Sequence, residues 1–279
     1  MKTLNNFWKQ TILPMGLIAP SAILLLVVFI LPFFRVLEDG LFPKGQFSTA
    51  GFAKVQQLYV GDVFYTLYIS FAALAITMVC AILLGAYLRL HACRLIEFLF
   101  KIPLFIPYVV VGHAMRTFLA PHGTLNSFLS VVGLIDINNP PSLAFSAGGI
   151  IIALVWKNLA FALLLIMAPF QTVSDSHLRA AQNFGAGFFR QVTDVLVPMC
   201  KKSIMIISVL LFTSMMGSFS IPIMMGNGKG PQMLMVDLYY RITYQNDLVT
   251  ANALGIISFI LSLGAAWYYV RKVVAGDEK

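Results

Sequence analysis

Six long apolar runs dominate this chain of 279 residues and restrict what it can fold into. A helix needs about 20 apolar residues to cross a bilayer core of roughly 30 Å, and each run is close to that length or longer. Hydrophobic residues make up 59% of the chain and charged residues only 11%, whereas about a quarter of a soluble domain is charged. The sequence therefore predicts an all-α membrane protein, one transmembrane domain over residues 1–279, with six transmembrane helices at about 12–34, 63–88, 100–119, 145–170, 203–226 and 248–270.

The distribution of Lys and Arg among the loops predicts the orientation of these helices. With the N-terminus inside, twelve basic residues fall in cytoplasmic segments and five in outer ones, namely Arg35, Lys44, Lys54, Lys229 and Arg241. An excess of basic residues marks the cytoplasmic side, so we expect both termini to be cytoplasmic. This bias also accounts for the net charge of +8. We therefore expect membrane lipid, and no nucleic acid, among the partners.

The connections on the outer side are predicted to be short and simple. Residues 35–62 balance acids against bases and suggest an extended segment. An apolar patch from Leu125 to Ile135 predicts a short helix at the membrane surface. The sequence Lys229-Gly230-Pro231 predicts a turn.

The connection between the fourth and fifth spans is patterned like neither a membrane span nor a polar turn. Ser174 or Ser176 can cap a short helix by accepting a hydrogen bond from a free backbone N–H. Leu178, Ala181 and Phe184 follow at helical spacing and predict one small apolar face.

Glycines then predict a turn, and a second short helix follows. Gly185 and Gly187 can both supply the left-handed conformation that ends a helix. The second helix has an apolar side of Phe188, Val192 and Val195, and Pro198 is expected to end it. One face of this pair can rest on the membrane helices, which leaves the other to dock into a partner. The alternative is an ordinary amphipathic helix at the membrane surface.

The same connection carries a family resemblance. It contains an alanine pair, a glycine and a Val-Pro pair at fixed spacing, namely Ala180, Ala181, Gly185, Val197 and Pro198. This resembles the EAA loop of ABC-importer permeases, which reads Glu-Ala-Ala, three residues, Gly, nine residues, Ile, one residue, Leu-Pro. Arg179 stands where the family has its glutamate, and Val195 and Val197 replace Ile and Leu.

The resemblance implies the type I ABC importer permease fold in a bacterial inner membrane. In that family two permease subunits form the path, an ABC ATPase dimer holds ATP and Mg, and a periplasmic solute-binding protein delivers the solute. The chain itself would bind no cofactor or metal. Residues 174–198 would form the coupling loop, with ATPase-coupling residues Leu178, Arg179, Ala180, Ala181, Phe184, Gly185 and Pro198. The reversed charge at Arg179 suggests a heterodimer whose second permease carries the usual glutamate.

The fifth span gives a hint about the solute. Gly217, Phe219 and Pro222 form a Gly-x-Phe-x-x-Pro stretch that resembles permeases for polyamines, ferric ion, sulfate or phosphonate-type solutes. The proline is expected to bend the helix and free backbone carbonyls, which a membrane tolerates only against protein or water. Ser214 and Ser218 could then meet a passing solute, or the small residues could simply ease helix packing.

A lysine near the middle of the fourth span is the other candidate for the substrate path. A cation at this depth costs about 3 kcal/mol, so Lys157 is expected to face the bundle interior or water. The substrate path would then include Lys157, Asn158, Ser214, Ser218 and Phe219. The alternative is that Lys157 bonds neighbouring backbone carbonyls and serves packing alone.

Two other functional classes fit the sequence less well. A stand-alone secondary transporter or channel using Lys157 would be expected to show an inverted repeat or paired broken helices, which the sequence does not reveal. A membrane enzyme would need a cluster of His, Asp or Glu near one interface. The sequence has no G-x-x-x-x-G-K-[ST] phosphate loop, so ATP hydrolysis would belong to a separate subunit.

Overall fold

The computed structural model describes residues 13–91, 93–226, 228 and 230–274, and every regular element in them is helical. We number the helices α1 to α13. Four of them are long and apolar enough to cross a membrane, and six spans result if each of two sharply bent helix pairs counts as one. Residue 12, the first residue of the first predicted span, lies outside the described residues.

The described residues form two compact units. One contains residues up to 57 together with 238–257, and the other contains 58–237 together with residues from 258 onward. The prediction of a single domain over residues 1–279 stays a prediction.

The first unit begins with α1, which runs from Leu13–Leu25 through a π turn at Leu26–Ile30 into Leu31–Leu41. The segment after it was predicted to be extended, and this is wrong. It forms a 3₁₀ turn at Pro43–Gly45 and the helix α2, Ala50–Leu58. The helix packs tightly against the start of α13 (Leu248–Val274), because a Cβ added at Gly51 would lie 2.7 Å from the Val249 carbonyl oxygen.

An ion-pair cluster fastens α2 within this unit. Asp247 accepts hydrogen bonds from Lys54 Nζ at 2.5 Å and Arg241 Nη1 at 3.3 Å. It also caps α13 by accepting from the backbone N–H of Thr250 at 3.1 Å. Burial raises the pKa of Asp247, but the bonds from Lys54 and Thr250 outweigh it and lower the pKa to about 2.

The second unit is built on two long helices, α3 (Val60–His91) and α7 (Ala147–Thr172), which pack along each other. Residues near the start of each helix share one core cluster, for example Ile69 with Ile150. Residues near the end of each share another, for example Ala81 with Ile166. The two helices therefore run parallel, as the predicted second and fourth spans should.

Small residues allow this close approach. The buried face of α3 contains Ala73, Thr77 and Ala81 at four-residue spacing. Gly85 continues the row, and a Cβ there would lie 3.0 Å from Ile166 Cγ2 and 3.6 Å from the Phe170 ring. Small side chains let helix backbones approach in a membrane, where packing rather than hydrophobicity holds helices together.

Between the ends of these parallel helices the chain returns through a broken segment. It consists of α4 (Arg94–Lys101), a 3₁₀ turn at Ile102–Phe105 and α5 (Tyr108–Phe118), with a bend of 105°. Ile96 packs near the end of α7 against Leu163 and Met167, and the Leu119 carbonyl accepts a bond from Ala144 just before α7 begins. The segment thus runs antiparallel to α7. The single helix predicted at 100–119 is wrong, because prolines at 103 and 107 break it.

The fifth predicted span, at 203–226, is also broken. The helix α10 covers Lys201–Met216, residues 217–219 interrupt it, and α11 resumes at Ser220–Met225. The short helix predicted between Leu125 and Ile135 is confirmed as α6, Thr124–Val131. Gly230 has a φ of +78°, consistent with the predicted turn, whereas Lys229 is not described. The helix α12, Leu234–Thr243, was not predicted from the sequence and precedes α13.

The Gly85 contact gives a test of the α3–α7 packing. We expect Gly85→Leu to lower the free energy of unfolding by about 1–3 kcal/mol, because Ile166 and Phe170 leave no room for a larger side chain. Thermal unfolding of the purified chain in lipid nanodiscs measures it. Gly264→Leu is the matched control, since nothing lies within 4 Å of a Cβ at Gly264. Equal effects of the two substitutions would contradict the packing described.

Candidate functional site

The connection at residues 174–198 folds as the predicted helix, turn and helix. The first helix is α8, Asp175–Asn183, and a hydrogen-bonded cap follows at its C-terminal end. The N–H of Gly185 bonds the Gln182 carbonyl at 2.9 Å, the N–H of Ala186 bonds the Ala181 carbonyl at 3.0 Å, and Gly185 has a φ of +76°. This is the Schellman arrangement, in which a left-handed residue satisfies the last carbonyls of a helix. The expectation for Gly185 is confirmed, whereas Gly187 has a φ of −70° and is not left-handed.

The second helix, α9, is longer than expected. It runs through Phe188–Gln191, a π turn at Val192–Leu196 and Val197–Met199. Pro198 therefore lies inside the helical segment, and the prediction that it ends the helix is wrong. The chain bends by 82° only between Met199 and Lys201.

The predicted apolar face of α8 is divided between two environments. Leu178 is 4% exposed and packs in the core cluster with Val173, Val192 and Leu196. Phe184 is 90% exposed, and Ala181 lies between these extremes. The single face is thus wrong, because helical spacing places residues on one side without saying how much of that side the fold covers.

Exposed residues on these two helices form what we call the outer surface of the loop. It consists of Arg179, Ala180, Phe184, Phe189 and Pro198. Phe189 is 70% exposed and stacks edge-on against Phe188 at 5.3 Å between ring centroids. Exposed aromatic rings next to an arginine have the composition of a protein-binding surface.

Gln191 holds α8 and α9 together. Its side chain is 6% exposed, although glutamine is normally found on the surface. Its amide Nε2 donates to the Ala186 carbonyl at 2.9 Å, and its Oε1 accepts from Gln182 Nε2 at 3.3 Å. The turn at Gly185 is therefore closed by side chains as well as by backbone bonds.

The N-terminal end of α8 is held differently from the prediction. The Ser174 hydroxyl lies 2.7 Å from Ser176 Oγ and 2.7 Å from His177 Nδ1 and makes no bond to a backbone N–H of the helix. Asp175, in the first turn, instead pairs with Arg89 Nη2 at 2.5 Å. The hydrogen bond and the charge of Arg89 lower the pKa of the Asp175 carboxyl.

Arg89 ties the loop to both long helices of the second unit. It lies near the end of α3, and its Nε donates to the Phe170 carbonyl at 3.0 Å and its Nη2 to the Val173 carbonyl at 2.8 Å. These carbonyls belong to the end of α7, where the last turn lacks helical partners. From the sequence Arg89 is only one of the basic residues of the inner side. Its position directly after the apolar run 63–88 was the one signal available.

The predicted path residues fall at two different breaks. Lys157 is 6% exposed, and its Nζ donates to the carbonyls of Pro103 at 2.7 Å and Ile106 at 2.5 Å. Asn158 donates to the Leu154 carbonyl at 2.8 Å and lies 3.5 Å from the Tyr108 hydroxyl. Both residues contact the break of the third span. This geometry fits the alternative in which Lys157 serves packing.

The remaining path residues lie at the break of the fifth span. Ser214 is exposed, Phe219 is half-buried, and Ser218 is buried with an Oγ that bonds to no other described residue. The helix after this break, α11, packs on α5: a Cβ at Gly112 would lie 3.1 Å from Met224 Cβ and 3.2 Å from the Ser220 carbonyl oxygen. The two broken spans therefore meet through their final helices.

Comparison with known proteins places these features in a family. The family described as "Binding-protein-dependent transport system inner membrane component" matches residues 73–272. The sulfoquinovosyl glycerol transport system permease protein of Agrobacterium fabrum is 28% identical over 282 residues, covering 94% of this chain and 90% of that protein. The spermidine/putrescine transport system permease protein of Escherichia coli is 27% identical over 140 residues, covering 50% of each.

The fold has a counterpart among solved structures. A chain of the bacterial alginate ABC transporter, crystallised with an alginate pentasaccharide-bound periplasmic protein, superposes with a TM-score of 0.81 and 19% identity. The match covers 95% of this chain and 96% of that one. At this identity the likeness establishes the fold, which is that of a type I ABC importer permease.

The bonds of Arg89 predict how firmly the loop is held. We expect Arg89→Lys to lower the free energy of unfolding by about 1–3 kcal/mol, because a lysine cannot reach both α7 carbonyls with the same fixed fork of donors. Amide hydrogen exchange in α8 should also become faster. Arg94→Lys is the control, since Arg94 is an exposed arginine of the neighbouring helix. Unchanged exchange in α8 of the Arg89 variant would contradict the anchoring role.

Proposed function

Because the chain belongs to the family of binding-protein-dependent transport system inner membrane components, and is thus a permease subunit of an ABC importer, we propose that it imports a carbohydrate. It is a multi-pass inner membrane protein and a transport component without catalytic activity of its own. We further propose that residues 174–198 couple its spans to a separate ATPase.

The observation that carries the solute class is the extent of the match. The relative that transports sulfoquinovosyl glycerol aligns with 94% of this chain, whereas the spermidine/putrescine relative aligns with half. The fold counterpart belongs to an importer of alginate, an acidic polysaccharide. These facts favour a sugar over the polyamine, ferric or phosphonate-type solutes suggested by the Gly-x-Phe-x-x-Pro stretch.

The charges of the middle spans support the same choice. The predicted spans 100–119, 145–170 and 203–226 contain no aspartate or glutamate. Lys157 lies buried next to the break of the third span. A polyamine crossing here would lose water without meeting a carboxylate, and an unpaired charge away from water is costly. A neutral sugar would not face this barrier.

The coupling role rests on how the loop is built. Leu178 fixes it to the fold, Gln191 holds its two helices together, and Arg89 joins it to the ends of α3 and α7. Its outer surface carries Phe184, which has almost no contact with its own chain. We propose that a groove of the ATPase takes up this surface, so that ATPase closure moves the two long helices through the loop.

The remaining partners follow from the same proposal. An ABC ATPase dimer would hold ATP and Mg, a periplasmic solute-binding protein would deliver the sugar, and a second permease would complete the path. Arg179 is exposed at the place of the family's glutamate. We propose a heterodimer in which the second permease presents a glutamate to the ATPase. Full coupled transport with this chain as the only permease would refute that part.

Uptake by the reconstituted complex tests the solute. We expect ATP hydrolysis in proteoliposomes to rise several-fold with a loaded binding protein and sulfoquinovosyl glycerol or an alginate pentasaccharide. Spermidine should leave it at the basal rate, because the middle spans provide no carboxylate for a cation. The measurement is phosphate release with uptake of labelled solute in parallel. If spermidine alone stimulated ATP hydrolysis, the proposal of a carbohydrate would be wrong and the solute would be a polyamine.

Substitution of the exposed phenylalanine tests the coupling surface. We expect Phe184→Asp to weaken association with the ATPase at least about 30-fold, because a buried aromatic anchor typically contributes 2 kcal/mol or more to an interface. Co-purification from membranes and titration with the isolated ATPase measure it. Phe47→Asp is the matched control, since Phe47 is 67% exposed and lies outside the loop. If the Phe184 variant bound the ATPase with native affinity, Phe184 would not be part of the contact.

A further inference from the structure

The break in the third span leaves backbone carbonyls without helical partners. In a continuous helix the N–H of residue 107 would bond the carbonyl of residue 103, but residue 107 is a proline and has no N–H. The Pro103 carbonyl instead accepts a longer bond from the Ile106 N–H, at 3.3 Å. The first helical bond of α5 runs from Val111 N–H to the Pro107 carbonyl. The Ile106 carbonyl therefore lies outside the hydrogen-bond ladder of the helix. Such groups are costly in a membrane unless the protein supplies donors.

One ammonium group supplies these donors. Lys157 Nζ lies 2.7 Å from the Pro103 oxygen, 2.5 Å from the Ile106 oxygen and 3.4 Å from the Leu104 oxygen. The Tyr108 ring closes the remaining side, with its centroid 4.8 Å from the same nitrogen. Three carbonyl oxygens and an aromatic face are the surroundings that stabilise a bound cation.

The number of oxygens around Nζ favours the charged form of Lys157. A neutral amine has two N–H groups, whereas three oxygens surround Nζ. An ammonium has three N–H groups and fits all of them. Among the described residues, the ion pairs of Glu97 and Asp175 are with Lys101 and Arg89 and not with Lys157. The carbonyls and the ring thus take the place of a counter-ion.

We propose that the break of the third span is a cation-binding cage and that Lys157 is its built-in cation. The cage fixes the bend of 105° between residues Arg94–Phe105 and α5, so Lys157 acts as a positioning residue for this broken segment. An apolar groove of about 870 Å³ runs beside it, lined by α5 and α7, and includes Ile106 and Trp156. The carbonyl of Ile106 is held by Lys157 while its side chain lines the groove. The ammonium therefore sets the shape of the groove wall.

Chemical rescue tests the cage directly. Lys157→Ala removes three methylenes and the ammonium, which n-propylammonium can replace. We expect the thermal midpoint of the full-length chain in nanodiscs to fall by at least about 5 °C. Addition of n-propylammonium should recover at least half of the loss and leave the native chain unchanged. Neutral 1-propanol and tetramethylammonium, a cation without N–H groups, should recover none.

Each outcome decides the matter. Equal recovery with 1-propanol would show that apolar filling suffices and would overturn the proposal, as would no recovery with n-propylammonium. If Lys157→Ala cannot be purified, the neutral, similarly long Lys157→Met decides. A native midpoint and native uptake in that variant would overturn the proposal, and loss of both would support it. Lys101→Met is the control, because its partly exposed ion pair with Glu97 is expected to shift the midpoint by less than about 2 °C. The thermal midpoints do not depend on which solute is carried.

Discussion

The structure depends on satisfying backbone carbonyls where helices stop inside or beside the membrane. Lipid offers no hydrogen bonds, so every interrupted helix must find donors within the protein. Two long basic side chains do this for the second unit. Lys157 reaches from α7 to the break of the third span, and Arg89 reaches from α3 to the end of α7. Both residues carry a charge because the site needs several donors on one group, and the geometry of the spans follows from where they reach.

The loop at residues 174–198 shows how the same chemistry joins two regions. One guanidinium bonds the end of α7 and the first turn of α8 at once, so a displacement of α8 changes the bonds that hold α3 and α7. The left-handed Gly185 and the buried Gln191 close the loop, which is therefore a compact helical hairpin. An element that is internally rigid and bonded at one end can transmit a displacement to the helices it is bonded to. Its exposed aromatic residues are suited to contact another protein.

Much of this could be predicted from the sequence where the cause is local. Long apolar runs indicated the helices, Pro222 indicated that the fifth span is bent, and Gly185 indicated the turn after α8. The partners of Lys157 and Arg89 could not be predicted, because their carbonyls lie 51 to 84 positions away and belong to the backbone, which every residue has. Leu178 and Phe184 were predicted to share one face because the spacing of residues along a helix gives only the direction of their side chains. Coverage of that face depends on α9 and α7, whose positions the local pattern does not contain.

The π turns carry a consequence for how such chains change during evolution. Pro32 and Pro198 each lie two positions after a π turn, where the N–H of the next residue bonds a carbonyl five positions back. The wider turn holds one residue more than a regular helix and moves the proline away from the carbonyl it would otherwise meet. Each helical residue turns the chain by about 100°. Removing that extra residue alone would therefore rotate the side chains before the π turn by about that angle relative to those after it. Proline and extra residue should therefore be gained or lost together among descendants of this chain.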